Sequence, residues 1–143
     1  MTMTTPNPML APVVALVAWT LLMWLWMYAT RIPAIVRARM RLDPAAPRGE
    51  QMNQLPPQVR WKADNYNHLM EIPTAFYAVA LVLAVLGDSS ALSVGLAWAF
   101  VGLRVVHSLW QALFNVIPVR FALFVLSTLP LFGLTWRAAQ AVL

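Results

Sequence analysis

An all-α membrane protein, built as a bundle of four transmembrane helices, is the fold this sequence predicts, and three observations carry the prediction. First, 61% of the 143 residues are hydrophobic and only 10% are charged, against about 25% charged in soluble domains. Second, seven of the ten Lys and Arg residues fall in one stretch, Arg31 to Lys62. Third, the remaining chain divides into runs that reach membrane-spanning length. Four spans of about 20 residues use more than half of so short a chain, so residues 1–143 are read as a single transmembrane domain with no separate soluble one.

The first span is predicted over residues 8–30. No side chain from Met1 to Thr30 is charged, and the run lacks the basic start and short apolar core of a cleaved signal peptide, so it is expected to be retained. Residues 31–65 then read as a basic loop, with Arg31, Arg37, Arg39, Arg41, Arg48, Arg60 and Lys62 set among prolines and little periodicity. The second span, 66–87, reaches full length only by taking in Glu71. The third, 91–114, must take in Arg104 and His107. Asn115 to Arg120 is expected as a tight turn around Pro118, and the fourth span follows over 121–140 with Arg137 snorkelling at its end. Pro73 and Pro130 are expected to kink their spans. Because the cations lie in the first and third connections, the positive-inside rule puts those in the cytoplasm and both termini outside.

Several function classes drop out. The net charge of +5 follows topology rather than a nucleic-acid motif, and no cysteine offers a disulfide, a thiolate ligand or a nucleophile. No glycine-rich phosphate loop is present, and His107 and Ser108 are too close in sequence to form a nucleophile–base pair. His68, His107 and Glu71 lack the paired spacing of a metal site, so no metal is expected. Seven tryptophans and eight methionines fit lipid contact and packing.

The chemistry sits on two polar stripes at helical spacing. Asp64, Asn67 or His68, Glu71 and Thr74 share one face of the second span; Arg104, His107 or Ser108, Gln111 and Asn115 share one face of the third. A charge within the bilayer costs at least about 2.5–3.5 kcal/mol, so Glu71 and Arg104 are expected to point inward. Two readings follow: a Glu71–Arg104 ion pair that fixes helix register, or a polar pocket at the basic face. Arg37, Arg60, Lys62 and Arg120 would favour an anion in that pocket, whereas Arg39, Arg41 and Arg48 are read as topology alone.

The segment Arg60-Trp-Lys-Ala-Asp64-Asn65-Tyr-Asn67-His68-Leu-Met-Glu71-Ile-Pro73 resembles the second-helix signature of the MAPEG family, the membrane-associated proteins in eicosanoid and glutathione metabolism. Arg104-x-x-His107-Ser108 followed by Pro118-x-Arg120 is similar to the matching part of that family's glutathione-dependent prostaglandin E synthase. The resemblance covers essentially the whole chain and implies a homotrimer with glutathione between neighbouring subunits, near the cytoplasmic face. It implies that Glu71 holds the glutathione amino group and that Arg37, with Arg31 as the alternative, lines the site. It places Asn67, His68, Arg104, His107 and Gln111 in the glutathione pocket and makes Arg120 the catalytic partner of the thiol. The function it implies is a glutathione-dependent transferase or peroxidase for hydrophobic electrophiles or lipid hydroperoxides, working in the bilayer, in a bacterial-type member in the inner membrane. His68 stands where the family usually has asparagine, Gln111 where it has tyrosine, and Phe121 where the synthase has serine. A non-catalytic scaffold or lipid-binding protein of the same fold is the alternative.

Overall fold

The computed structural model describes residues 6–143; residues 1–5 of the predicted domain lie outside the described residues. The described chain is helical throughout its regular structure: α1 Leu10–Arg37, α2 Pro57–Leu69, α3 Ile72–Val85, α4 Ala91–Leu113 and α5 Ile117–Val142, with a 3-10 turn at Met52–Gln54. Taking α2 and α3 as one interrupted span, four helical stretches among the described residues are long and apolar enough to cross a membrane. The protein is an integral, multi-pass membrane protein.

Three boundaries differ from the sequence expectation, each for a physical reason. The basic stretch 31–65 is not all loop: α1 continues through Arg31 to Arg37, and α2 begins at Pro57. Cations suit a helix C-terminus, and a proline suits the first helical turn, where its missing N–H costs nothing. Pro118 likewise opens α5 rather than centring a turn, so the helix starts four residues early and Arg120 sits in its first turn. The second span is broken outright at Met70 and Glu71, just before Pro73, whereas α5 runs on through Pro130.

The apolar core lies in the half of the bundle away from the basic end. Met9, just before α1, and Val13 and Leu16 of α1 meet Phe76, Ala80 and Leu83 of α3, Ala97 and Phe100 of α4, and Leu131 and Leu134 of α5. Phe76 and Phe100 stack with centroids 4.5 Å apart, an aromatic pairing that adds to their burial. Gly133 lets α5 approach α4, since a Cβ there would come within 3.1 Å of a Leu96 methyl.

The end of the bundle opposite the basic loop is closed by a clasp. Arg137 does not snorkel outward as expected; it turns in and donates from Nε to Ser93 Oγ, and from Nη2 to Ser90 Oγ (3.0 Å) and Asp88 Oδ2 (3.4 Å). Ser93 also donates to Asp88, whose other carboxylate oxygen accepts from the Ser90 N–H. Gly87, at φ +76°, makes the left-handed turn that ends α3 and presents Asp88 to this cluster.

Candidate functional site

The site begins with the broken span. Pro73 has no N–H to return to the Leu69 carbonyl, and its ring would press on that oxygen in a continuous helix. The chain leaves the helix at Met70, and Glu71 takes φ −94°, ψ −102° before α3 starts. The His68 carbonyl therefore lacks a normal α-helical partner; the Glu71 N–H reaches it only at 3.4 Å.

Arg104 of α4 fills that gap. It is fully buried, and its Nη2 donates to the His68 carbonyl at 3.1 Å and to His68 Nδ1 at 3.3 Å. A guanidinium has no lone pair to offer, so Nδ1 must be the acceptor and the ring hydrogen must sit on Nε2. Arg104 also lies over the rings of Phe100 and Phe124, 5.9 and 5.8 Å from their centroids, within cation–π range. The guanidinium is thus held by aromatic faces and a backbone carbonyl.

Around Arg104 lies a polar layer. His68 and His107 stack with centroids 4.9 Å apart and planes 27° from parallel. His107, Ser108 and Gln111 are buried on the same face of α4. Arg104 Nε and Nη1, His107 Nε2, Ser108 Oγ and Gln111 Oε1 are all buried without a hydrogen-bond partner among the described residues. Burying so many unmet polar groups is costly, which marks the layer as built for further polar contacts.

Arg120 faces this layer from the next helix. With His68, His107, Phe121 and Phe124 it lines a cavity of about 230 Å³. Its Nη1 donates to Asn115 Oδ1 at 2.7 Å. Asn115 sits at φ +51°, a left-handed conformation that asparagine accepts more readily than most residues. The turn between α4 and α5 thereby orients the guanidinium.

The second stripe behaves differently from its prediction. Asp64, Asn67, Glu71 and Thr74 are all exposed on this single chain, so they face away from the bundle rather than into it. Only His68 joins the α4 stripe. The Glu71 side chain is 63% exposed, and the basic side chain beside it is the neutral His68 ring, with Nε2 to Oε2 3.9 Å. No Glu71–Arg104 ion pair forms among the described residues. The cause is local: helical spacing puts 64, 67 and 71 on one outer face, and the break at Glu71 does not turn that face inward.

The two candidates on α1 are also separated. Arg31 shares a cavity with Asn67 and Asp64, whereas Arg37, at the exposed end of α1, lines another groove with Lys62. One inward residue escaped the sequence reading. Asn65 is 1% exposed with neither amide atom partnered. Its signal was its spacing of three from His68, the inward face of the same helix. Among the described residues, no three His, Asp or Glu side chains gather in a way that could hold a metal ion.

Compared with known proteins, the chain matches the sequence model of the MAPEG family over residues 9–140. No curated protein and no solved structure matches it.

Proposed function

The chain belongs to the MAPEG family, and from that premise we propose that it is a membrane-embedded, glutathione-dependent transferase or peroxidase acting on hydrophobic electrophiles or lipid hydroperoxides. The observation that carries the proposal is the cavity in which Arg120 faces the stacked rings of His68 and His107. Glutathione supplies a nucleophilic sulfur, which at a pKa of about 8.5 is mostly protonated at neutral pH. A fixed cation beside that sulfur stabilises its negative charge, and Arg120 is the cation available for the task.

The rest of the constellation suits a tripeptide with one ammonium and two carboxylates. Glu71 is a carboxylate able to hold the ammonium, with Asn67 beside it on the same outer face. Arg104, His107 and Gln111 offer unmet polar atoms to the peptide. The Nε2–H of His68 is a fixed donor toward either Glu71 or the ligand. Arg37 would reach the ligand only across a boundary between copies, given its place on the α1 end.

Such a boundary is the second part of the proposal. An outward-facing Asp64, Asn67, Glu71 and Thr74 on a membrane-spanning stretch cannot rest against lipid without cost. We assign that face to an interface in a homotrimer, where a neighbouring copy covers it and the two together enclose the ligand. The cation-rich end lies in the cytoplasm and both termini lie outside, as the positive-inside rule requires.

The test is equilibrium binding of glutathione to the purified protein in detergent, followed by the thiolate absorption band and by turnover of a generic hydrophobic electrophile. Arg120→Leu should lose the band and turnover while keeping most of the affinity, because the cation acts on a charge that exists only after ionisation. Arg120→Lys should be impaired less, having kept the charge without the planar fork. Absence of glutathione binding in the unaltered protein would replace the enzyme reading with that of a non-catalytic scaffold. An unchanged band and turnover in Arg120→Leu would remove Arg120 from the chemistry.

A further inference from the structure

Arg48, read from sequence as topology alone, helps to line a built cavity. Arg31 from α1, Arg48 from the loop and Arg60 from α2 line one space of about 260 Å³, together with Asn53, Asp64 and Asn67. Arg31 Nε and Arg60 Nε are buried there without a partner. None of the three guanidinium groups has a carboxylate oxygen within 4.0 Å among the described residues, although Asp64 lines the same space. Arginine stays charged in proteins, so three cations and one carboxylate leave a net double positive charge around the cavity.

The loop that brings Arg48 there is folded. Gln51 grips the backbone of Asp43 from both sides, accepting from its N–H at 3.0 Å and donating to its carbonyl at 2.6 Å. The Asp43 carboxylate accepts from the Ala45 N–H, and the Asn53 N–H donates to the Gly49 carbonyl. Gly49 takes φ +86°, a conformation suited to glycine, and Leu55 is buried at the foot of the loop. Arg48 is thus carried by a defined turn to the rim of a space already lined by two under-paired arginines.

We propose that this cavity is a binding site for a phosphate oxyanion, separate from the thiol cavity at Arg120. Guanidinium forks match the oxygens of a phosphate, and its double negative charge balances the local excess of two, where a single carboxylate would not. The same phosphate chemistry can arrive as the free ion or as the terminal phosphate monoester of phosphatidic acid, because the cavity lies at the polar end of the spans.

Two measurements on the full-length protein separate these sources. One titrates inorganic phosphate into protein in non-ionic detergent by calorimetry; the other measures retention of phosphatidic acid over phosphatidylcholine after reconstitution into mixed vesicles. Saturable phosphate binding assigns the free ion, and selective retention of phosphatidic acid alone assigns the lipid. In either case Arg48→Gln and Arg60→Gln should each weaken binding about tenfold or more, as expected for loss of a hydrogen bond to a charged group. Arg48→Gln lies on the exposed loop, so it keeps the test valid if Arg60→Gln fails to fold. Glutathione affinity, measured in parallel, should not move in Arg48→Gln, whether or not the unaltered protein turns substrate over. Binding in neither arm, or binding insensitive to Arg48→Gln, overturns the site. Competition between phosphate and glutathione, with equal loss of both in Arg48→Gln, also overturns it and gives the cavity to the thiol's own carboxylates.

Discussion

Replacing Asp88 with Asn keeps the shape of the side chain in the clasp but turns one acceptor into a donor facing Ser93 and Arg137. Burial alone would raise the Asp88 pKa. The hydrogen bonds from Ser93 and Ser90, and then the charge of Arg137, outweigh it and hold the carboxyl at about 2, down from 3.8. At about 1.4 kcal/mol per unit, that depression is worth at most about 2.5 kcal/mol. Because the clasp sits at the water-facing end of the bundle, screening reduces the expected contribution to about 1 kcal/mol. The sign follows from a folded-state pKa below the unfolded one. The stabilisation is complete above pH 3.8 and is lost as the pH falls toward 2. Thermal unfolding in non-ionic detergent, measured between pH 6 and pH 2.5, should show Asp88→Asn less stable than the unaltered protein near neutrality and the two converging in acid. Equal stability at neutral pH, or parallel curves down to pH 2.5, would refute the account of the clasp.

Three further outcomes are expected. Glu71→Gln should weaken glutathione binding by roughly tenfold to a hundredfold, the range for losing a charge-assisted hydrogen bond, with the oligomer intact on size-exclusion chromatography; loss of assembly with unchanged binding would make Glu71 structural. Nitrogen NMR of labelled histidine should find His68 as the Nε2–H tautomer, and a hydrogen on Nδ1 would contradict its contact with Arg104. Pro73→Ala should let the second span close into one helix and raise thermal stability by about 1–3 kcal/mol, while lowering glutathione affinity because His68 and Glu71 are re-aimed; unchanged affinity would show that the break does not position the site.

The membrane class was legible because it rests on sums over many residues, namely apolar run length and charge count. The α4 stripe was legible because Arg104, His107 and Gln111 recur on one helical face and that face is buried. The matching stripe on the second span was legible as a stripe but not as a direction. Spacing says that Asp64, Asn67 and Glu71 share a face; it does not say whether that face meets the same chain or another. Pro73 signalled a distortion, yet the replacement of a helix bond by Arg104 is a contact across 36 residues that no local pattern encodes. Arg48 was indistinguishable from Arg39 and Arg41 by composition, and only the turn at Gly49 sets it apart.

These differences bear on where the chemistry can occur. Within one chain the groups proposed to meet the thiol, Arg120 with His68 and His107, face a cavity at the bundle's own edge. The carboxylate proposed to hold the other end of the ligand, Glu71, looks away from the bundle interior. His68 touches both, stacked on His107 by one face and approaching Glu71 through Nε2. A ligand bridging the two groups must pass along His68, and Arg104 fixes that ring by holding its Nδ1 and its carbonyl together. The broken helix therefore does more than accommodate a proline. It frees a carbonyl so that a buried arginine can lock the side chain on which the two halves of the proposed site meet.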